Sequence, residues 1–183
     1  MWPEDAGSVL TRLARDAIAR KLGVPGPASP HREWLREPGA SFVTLTHDGG
    51  LRGCIGTLSA WRSLGQDVAG NAVSAAFEDP RFRPLSRAEF VDVAIEVSIL
   101  SASKPLLFSS RDDLLSQLQP GVDGLILAAK SRRGTFLPQV WDELPDPSDF
   151  LDHLLRKAGL PSDYWGPDIH VERYTVTAFH EEP

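Results

Sequence analysis

The tightest constraint on this chain is a two-residue turn. Asp48-Gly49, set between His47 and Gly50, is a pair suited to reversing one β-strand directly into the next, because both turn positions favour positive φ. Before it, Ser41 to Thr46 is rich in β-branched and aromatic residues; after it, Leu51 to Leu58 returns. A β-hairpin is therefore expected here. With Asp48-Gly49 at the centre, a regular ladder sets Thr46 opposite Leu51 and Val43 opposite Cys54.

Other periodicities surround that hairpin. Val9, Leu10, Leu13, Ala14, Ala17, Ile18 and Leu22 recur at helical spacing, with Ser8 as a candidate cap and Gly23 as a stop. Pro25 to Gly39 is proline-rich and reads as an extended connection. Leu64 to Phe77 is a helix of small residues, ended by Glu78-Asp79-Pro80-Arg81-Phe82. Ala94 to Leu100 is a nearly continuous apolar strand, with both faces expected to be covered. Ser110 caps a short helix through Leu118. Val122 to Ala128 and Thr135 to Leu137 read as a second strand pair around the basic loop Lys130 to Gly134. Ser148 caps a helix to Ala158, and His170 to Phe179 reads as one final strand. Strands joined by tight turns, with helices packed on them, define an α+β fold on a largely antiparallel sheet. A hairpin-then-helix rhythm occurs in both halves and leaves a duplication open.

Composition narrows the function classes. The chain has 183 residues, enough for one domain with a real core, and its net charge is −6. An acidic chain lacks the general attraction to phosphate on which non-specific nucleic-acid binding depends, so nucleic acid is not the default partner. No apolar run approaches the roughly 18 residues of a membrane span. The N-terminus has no basic start followed by an apolar stretch. Cys54 is the single cysteine, which excludes an intramolecular disulfide and cysteine-rich zinc modules and fits a cytoplasmic, reducing compartment.

The stretch that carries chemistry is Leu51-Arg52-Gly53-Cys54-Ile55-Gly56. Two glycines weaken a strand and mark a bulge or a close approach to its backbone. Strict alternation places Arg52 and Cys54 on one face, where the guanidinium favours the thiolate. Cys54 is then a candidate nucleophile. The alternative is a buried cysteine acting as a small hydrophobe, with the glycines admitting a packed helix. His47 lies too far along the ladder to serve as a base for Cys54, while His31, His153, His170 and His180 could approach only through tertiary folding. Glu96, inside an apolar strand, needs a partner such as Arg52 or Arg81. It is either a polar site on the sheet or a structural ion pair. Asp79-Pro80-Arg81-Phe82 is either a helix stop or a binding loop. The basic turn Lys130 to Arg133 is either a solvated loop or a contact for phosphate or an acidic partner. No phosphate loop, dinucleotide fingerprint, zinc-protease helix or serine-hydrolase elbow is present, and no histidines stand at metal-ligand spacing.

At this point the pattern resembles the AMMECR domain family, the A component of the AmmeMemoRadiSam system. The signature is Leu51 to Gly56. The resemblance continues through Asn71-Ala72, Ala75-Ala76-Phe77, Asp79-Pro80-Arg81-Phe82, Pro84-Leu85 and Glu96 to Leu100. It then runs through Gly124 to Leu127 and Phe136 to Val140, ending near Lys157 to Leu160. It implies a three-layer α/β/α arrangement on an antiparallel sheet, with two similar halves, in a single AMMECR-like domain over 1–183 whose two lobes would flank a cleft. It also implies a setting in which a MEMO-like protein and a radical SAM enzyme are partners and a macromolecule is modified.

Residues and resemblance together give two expectations. In the first, Cys54, Arg52 and Glu96 are catalytic, and Gly53, Gly56, Asp79 and Arg81 contact the substrate. In the second, the chain is a non-enzymatic binding module for a MEMO-like protein or a radical SAM enzyme, and Cys54 is structural. Neither names a cofactor, and neither includes a metal site.

Overall fold

In the computed structural model, which describes residues 1–182, Asp48 and Gly49 both take positive φ, 51° and 76°. That turn joins β1 (Ala40–His47) to β2 (Gly50–Gly56). Two compact units contain the elements: residues 1–100 with the segment from Thr177 onward, and Ser101–Val176.

In the first unit, α1 (Ala6–Leu22) and α2 (Leu64–Phe77) lie on one face of the sheet. Val43 and Leu45 of β1, and Ile95 and Val97 of β3 (Ala94–Leu100), pack there against Leu10, Ile18, Val68 and Ala72. Burying each of these valine, leucine and isoleucine side chains contributes about 1.5–3 kcal/mol. Gly23 closes α1 with a φ of 65°, as expected of a glycine stop. The helix starts earlier than the Ser8 cap implied: Asp5 is at the cap position, and the Ser8 hydroxyl donates to the Asp5 carbonyl instead.

A second core fills the other unit. There β5 (Gly124–Ala129) and β6 (Arg132–Phe136) form the hairpin, preceded by α4 (Arg111–Gln117) and followed by α5 (Pro147–Lys157). Leu125, Leu127, Leu151, Leu154 and Leu155 are fully buried in it. Trp141 stacks on Phe150 with ring centroids 3.7 Å apart and donates its indole N–H to the Asp123 carbonyl. Asp146 rather than Ser148 caps α5, accepting from the N–H groups of Ser148 and Asp149, with Pro147 opening the first turn.

The expected single strand His170–Phe179 is divided. β7 (His170–Tyr174) and β8 (Val176–His180) enter different sheets. Thr175 marks the break: its carbonyl accepts from the Ser101 N–H, and its own N–H donates to the Ser101 hydroxyl, so neither group joins a ladder. The sheet is likewise divided in two, in the orders β2-β1-β3-β8 and β4-β7-β5-β6, where β4 is the short strand Lys104–Pro105. The pairings of β1 with β2 and β3, of β5 with β6 and β7, and of β4 with β7 are all antiparallel.

The two units repeat one plan: helix, hairpin, helix, strand. Their registers correspond. Leu45 faces Gly53 in the first hairpin and Leu127 faces Gly134 in the second. A Cβ on Gly53 would strike the backbone of Ala75 in α2, and one on Gly134 the backbone at Ala158, just after α5. Thr44 faces Glu96 across the first sheet; Ile126 faces Glu172 across the second. In each sheet the fourth strand, β8 or β4, is the one that follows the third strand of the other.

Candidate functional site

The site forms on β2 because its ladder slips. Thr46 pairs with Leu51, as a regular hairpin requires, but Thr44 pairs with Cys54, so β2 carries one extra residue between them. The result is a bulge at Arg52-Gly53 opposite Leu45. The expected pairing of Val43 with Cys54 is displaced by one, and the faces change with it. Val43 and Leu45 point into the helical core, so Thr44, Cys54 and Glu96 share the opposite face.

The bulge also corrects the expected placement of Arg52. It leaves the alternation that would have set its guanidinium beside Cys54. Its side chain is 10% exposed and pairs with Glu89 at 3.0 Å, while a second nitrogen donates to the Arg83 carbonyl at 2.9 Å. Glu89 belongs to α3 (Arg87–Phe90), a single turn opened by a reciprocal capping box with Ser86. Arg52, helped by the Ser86 N–H and hydroxyl, holds the Glu89 carboxyl down to about 2. One Arg52 nitrogen, Nη1, is buried without a hydrogen-bond partner among the described residues, which costs about 1–3 kcal/mol.

Asp79 and Arg81 take the place by Cys54 that Arg52 was expected to fill. β2 is an edge strand, and the Cys54 N–H and C=O point outward from it. Asp79 accepts the N–H at 3.0 Å, and Arg81 donates to the C=O at 3.3 Å. The two side chains pair with each other at 2.7 Å, Asp79 being 2% exposed and Arg81 54%. The Arg81 guanidinium, followed by the Cys54 and Arg81 N–H groups, holds the Asp79 carboxyl far below the usual carboxylate range despite its burial. Asp79 in turn raises the Arg81 guanidinium, with a smaller contribution from Cys54 itself. Asp79-Pro80-Arg81 is thus both a helix stop and a clamp on the backbone of the cysteine.

Cys54 is half-buried. The Thr44 hydroxyl lies 3.3 Å from its sulfur, a contact favoured by the close approach of a non-hydrogen-bonded cross-strand pair. On the far side of Thr44 stands Glu96, about 9–10 Å from Cys54 by strand spacing. Its partners are neither Arg52 nor Arg81. The Ser98 hydroxyl donates to one Glu96 oxygen at 3.1 Å, and His180 Nδ1 of β8 lies 3.3 Å from the other. Cys54, Thr44, Glu96 and His180 therefore form a polar row across the strands β2, β1, β3 and β8.

The two glycines of the signature have packing roles. The space at Gly53 is taken by the Ala75 carbonyl, 2.1 Å from where a Cβ would be, and that at Gly56 by the Phe42 ring at 2.2 Å. Helix packing at Gly53 and ring packing at Gly56 thus account for the absence of a side chain at each position.

One cluster escaped the sequence reading. Asp67, fully buried in α2, accepts from the Ser41 N–H and hydroxyl, the Thr57 hydroxyl, Arg62 Nε and Asn71 Nδ2. The available signal was two polar residues, Asp67 and Asn71, four apart on the apolar face of a helix. Among the described residues, no group of three or more His, Cys, Asp or Glu side chains is placed to hold a metal ion, and no helix is long and apolar enough to cross a membrane.

Fold and site together define an α+β protein of two repeated hairpin–helix–strand units, with a clamped cysteine in the first repeat. The AMMECR1 family model matches residues 11–179, and the chain belongs to that family. A protein of Methanothermobacter thermautotrophicus is 38% identical over 186 residues, covering 97% of this chain and 95% of its own. One from Thermotoga maritima is 38% identical over 165 residues, with 87% of each chain covered. The crystal structure of the uncharacterized protein PH0010 from Pyrococcus horikoshii superposes with a TM-score of 0.82 at 34% identity, covering 96% of this chain and 91% of that one.

Proposed function

We propose that this AMMECR1-family chain acts as a component of an AmmeMemoRadiSam-type system that modifies a macromolecule, with Cys54 as its reactive group. The observation that carries this reading is the clamp. Asp79 and Arg81 fix the Cys54 backbone from the strand edge and bring a guanidinium to the cysteine, while the residue stays half-buried with its sulfur beside the Thr44 hydroxyl. A cation and a hydroxyl donor both favour a thiolate. Arg81 thereby takes the electrostatic role first expected of Arg52. The Glu96–His180 pair lies too far away to take the thiol proton directly. It would act on a group of a substrate lying along the row, as proton acceptor or donor.

A second reading has its own support. Gly53, Gly56 and Arg52 are fully accounted for by packing and by the Glu89 pair. In that reading the chain is a non-enzymatic module that binds a MEMO-like protein or a radical SAM enzyme, and Cys54 is structural.

Alkylation of Cys54 separates the two, and the single cysteine makes the experiment clean. Rapid iodoacetamide labelling of the native chain, slowed by Arg81→Gln, is the result expected of the first reading. Labelling only after denaturation would sink it and favour the second.

A further inference from the structure

The second unit ends its sheet on an edge with unused bonding capacity. β6 is outermost and is joined to β5 by the two-residue turn Lys130-Ser131. Ala129 and Arg132 close that turn as a hydrogen-bonded pair, so the next pair, Ala128 with Arg133, is not bonded. Arg133, and by the same alternation Thr135, therefore direct N–H and C=O away from β5. Neither has another backbone partner among the described residues. The first unit treats the corresponding edge differently. There the outward groups of Cys54, the register counterpart of Thr135, are taken by Asp79 and Arg81.

Cations flank the open edge on both faces. Gly134 packs on Ala158, so Arg132, Gly134 and Phe136 face α5. On that side the Arg132 guanidinium lies beside Gly159, and the Lys157 ammonium stands 5.0 Å over the Phe136 ring. Arg133 alternates to the other face and is exposed. Lys130 sits at the tip with φ 57°, uncommon for a residue with a side chain. It is held there by Asp168, which accepts its N–H at 3.0 Å, and by the Tyr164 ring 4.6 Å beneath its ammonium. The ion pairs of this unit are Arg111–Asp152 and Arg173–Asp123. Among the described residues, Arg132, Arg133, Arg156 and Lys157 take no carboxylate partner.

We propose that β6 is a docking edge for an extended, carboxylate-rich segment of another protein, which adds to the sheet as a further strand. Side chains of an added strand alternate between faces, so its carboxylates would meet Arg133 on one face and Arg132 and Lys157 on the other, while its backbone bonds to Arg133 and Thr135. A phosphate backbone would call for the cations on one surface. A second copy of this chain would bring its own cations to the edge and be repelled.

The test uses the full chain and a fluorescein-labelled glutamate–valine peptide of the repeat Glu-Glu-Val-Val, which sets carboxylates on both faces of an added strand, followed by anisotropy. Binding that weakens with added salt is expected, with none for the matching lysine–valine peptide. Arg133→Pro removes an N–H that points out of the existing ladder, so the fold is retained while binding drops by about tenfold or more. The double reversal Arg132→Glu/Arg133→Glu gives a loss at least as large, and decides the question alone if the proline variant melts early. No binding, binding indifferent to these substitutions, or binding of a single-stranded oligothymidylate in place of the peptide would each overturn the proposal.

Discussion

Asp79 accepts the backbone N–H of Cys54 at 3.0 Å, so a carboxylate, not a neighbouring strand, closes the β2 edge at the cysteine. Asp79→Ala leaves that amide and the Arg81 guanidinium without their partner. The expected loss is about 2–4 kcal/mol of unfolding free energy, measured in urea. An undiminished stability would show that the clamp does not hold the edge.

Arg52 and Arg81 are predicted to separate by experiment. Arg52→Leu strands the Glu89 carboxylate in a mostly buried position and lowers stability by about 3 kcal/mol, with little change in Cys54 labelling of the folded chain. Arg81→Gln has the opposite pattern, slowing labelling about three- to tenfold as the cysteine loses its neighbouring cation. Equal effects of both substitutions on labelling would return Arg52 to the site.

Acid sensitivity follows from Glu89. Its carboxyl is held at about 2 in the fold against an ordinary 4.5, so across that interval the unfolded chain binds more protons than the native one. Its contribution to stability is complete above about 4.5 and is lost as the pH falls toward 2. In Glu89→Gln, the decline of unfolding free energy over this window should be shallower than in the parent chain. Identical slopes would contradict the assignment.

Gly53→Ala sets a Cβ 2.1 Å from a backbone carbonyl that cannot rotate away, whereas Gly56→Ala meets only the Phe42 ring. The first should cost about 3 kcal/mol or more, and the second about 1–2. Adding Phe42→Leu should restore much of the loss at Gly56, with no comparable rescue at Gly53. Thermal melts of the two single variants, each with and without Phe42→Leu, decide it.

Asp67→Ala removes an acceptor shared by Ser41, Thr57, Arg62 and Asn71 in a fully buried position. A loss of about 3–5 kcal/mol is expected, and the melting temperature checks it.

Much of the framework was legible because local chemistry dictates it. Asp48-Gly49 could make only a tight reversal, and the apolar spacing of Leu64 to Phe77 and of Ala94 to Leu100 matches α2 and β3 residue for residue. Asp79 and Arg81 were expected to contact a substrate, and their bonds to the Cys54 backbone are tertiary contacts that no local spacing announces. What escaped is what alternation cannot encode. One extra residue at Arg52 turns that side chain to the other face, yet the local pattern of residue types looks the same with or without it. The β propensity of His170 to Phe179 runs unbroken through Thr175, so nothing local announces that the chain changes sheets there. α3 is too short for periodicity, although Ser86 and Glu89 spell its capping box. Asp67 carried no motif because its role depends on donors brought from Ser41, Thr57 and Arg62.

The exchange of fourth strands has a bearing on how the chain reaches its native state. β8 borders β3, and Ile95 accepts the Glu181 N–H at 2.9 Å, yet the entire second unit lies between them in sequence. During synthesis, α1, α2 and the first hairpin are made long before the strand that completes their sheet. Until the ribosome has passed Glu181, the outer edge of β3 is an unsealed template, open to wrong partners and dependent on slow, distant closure.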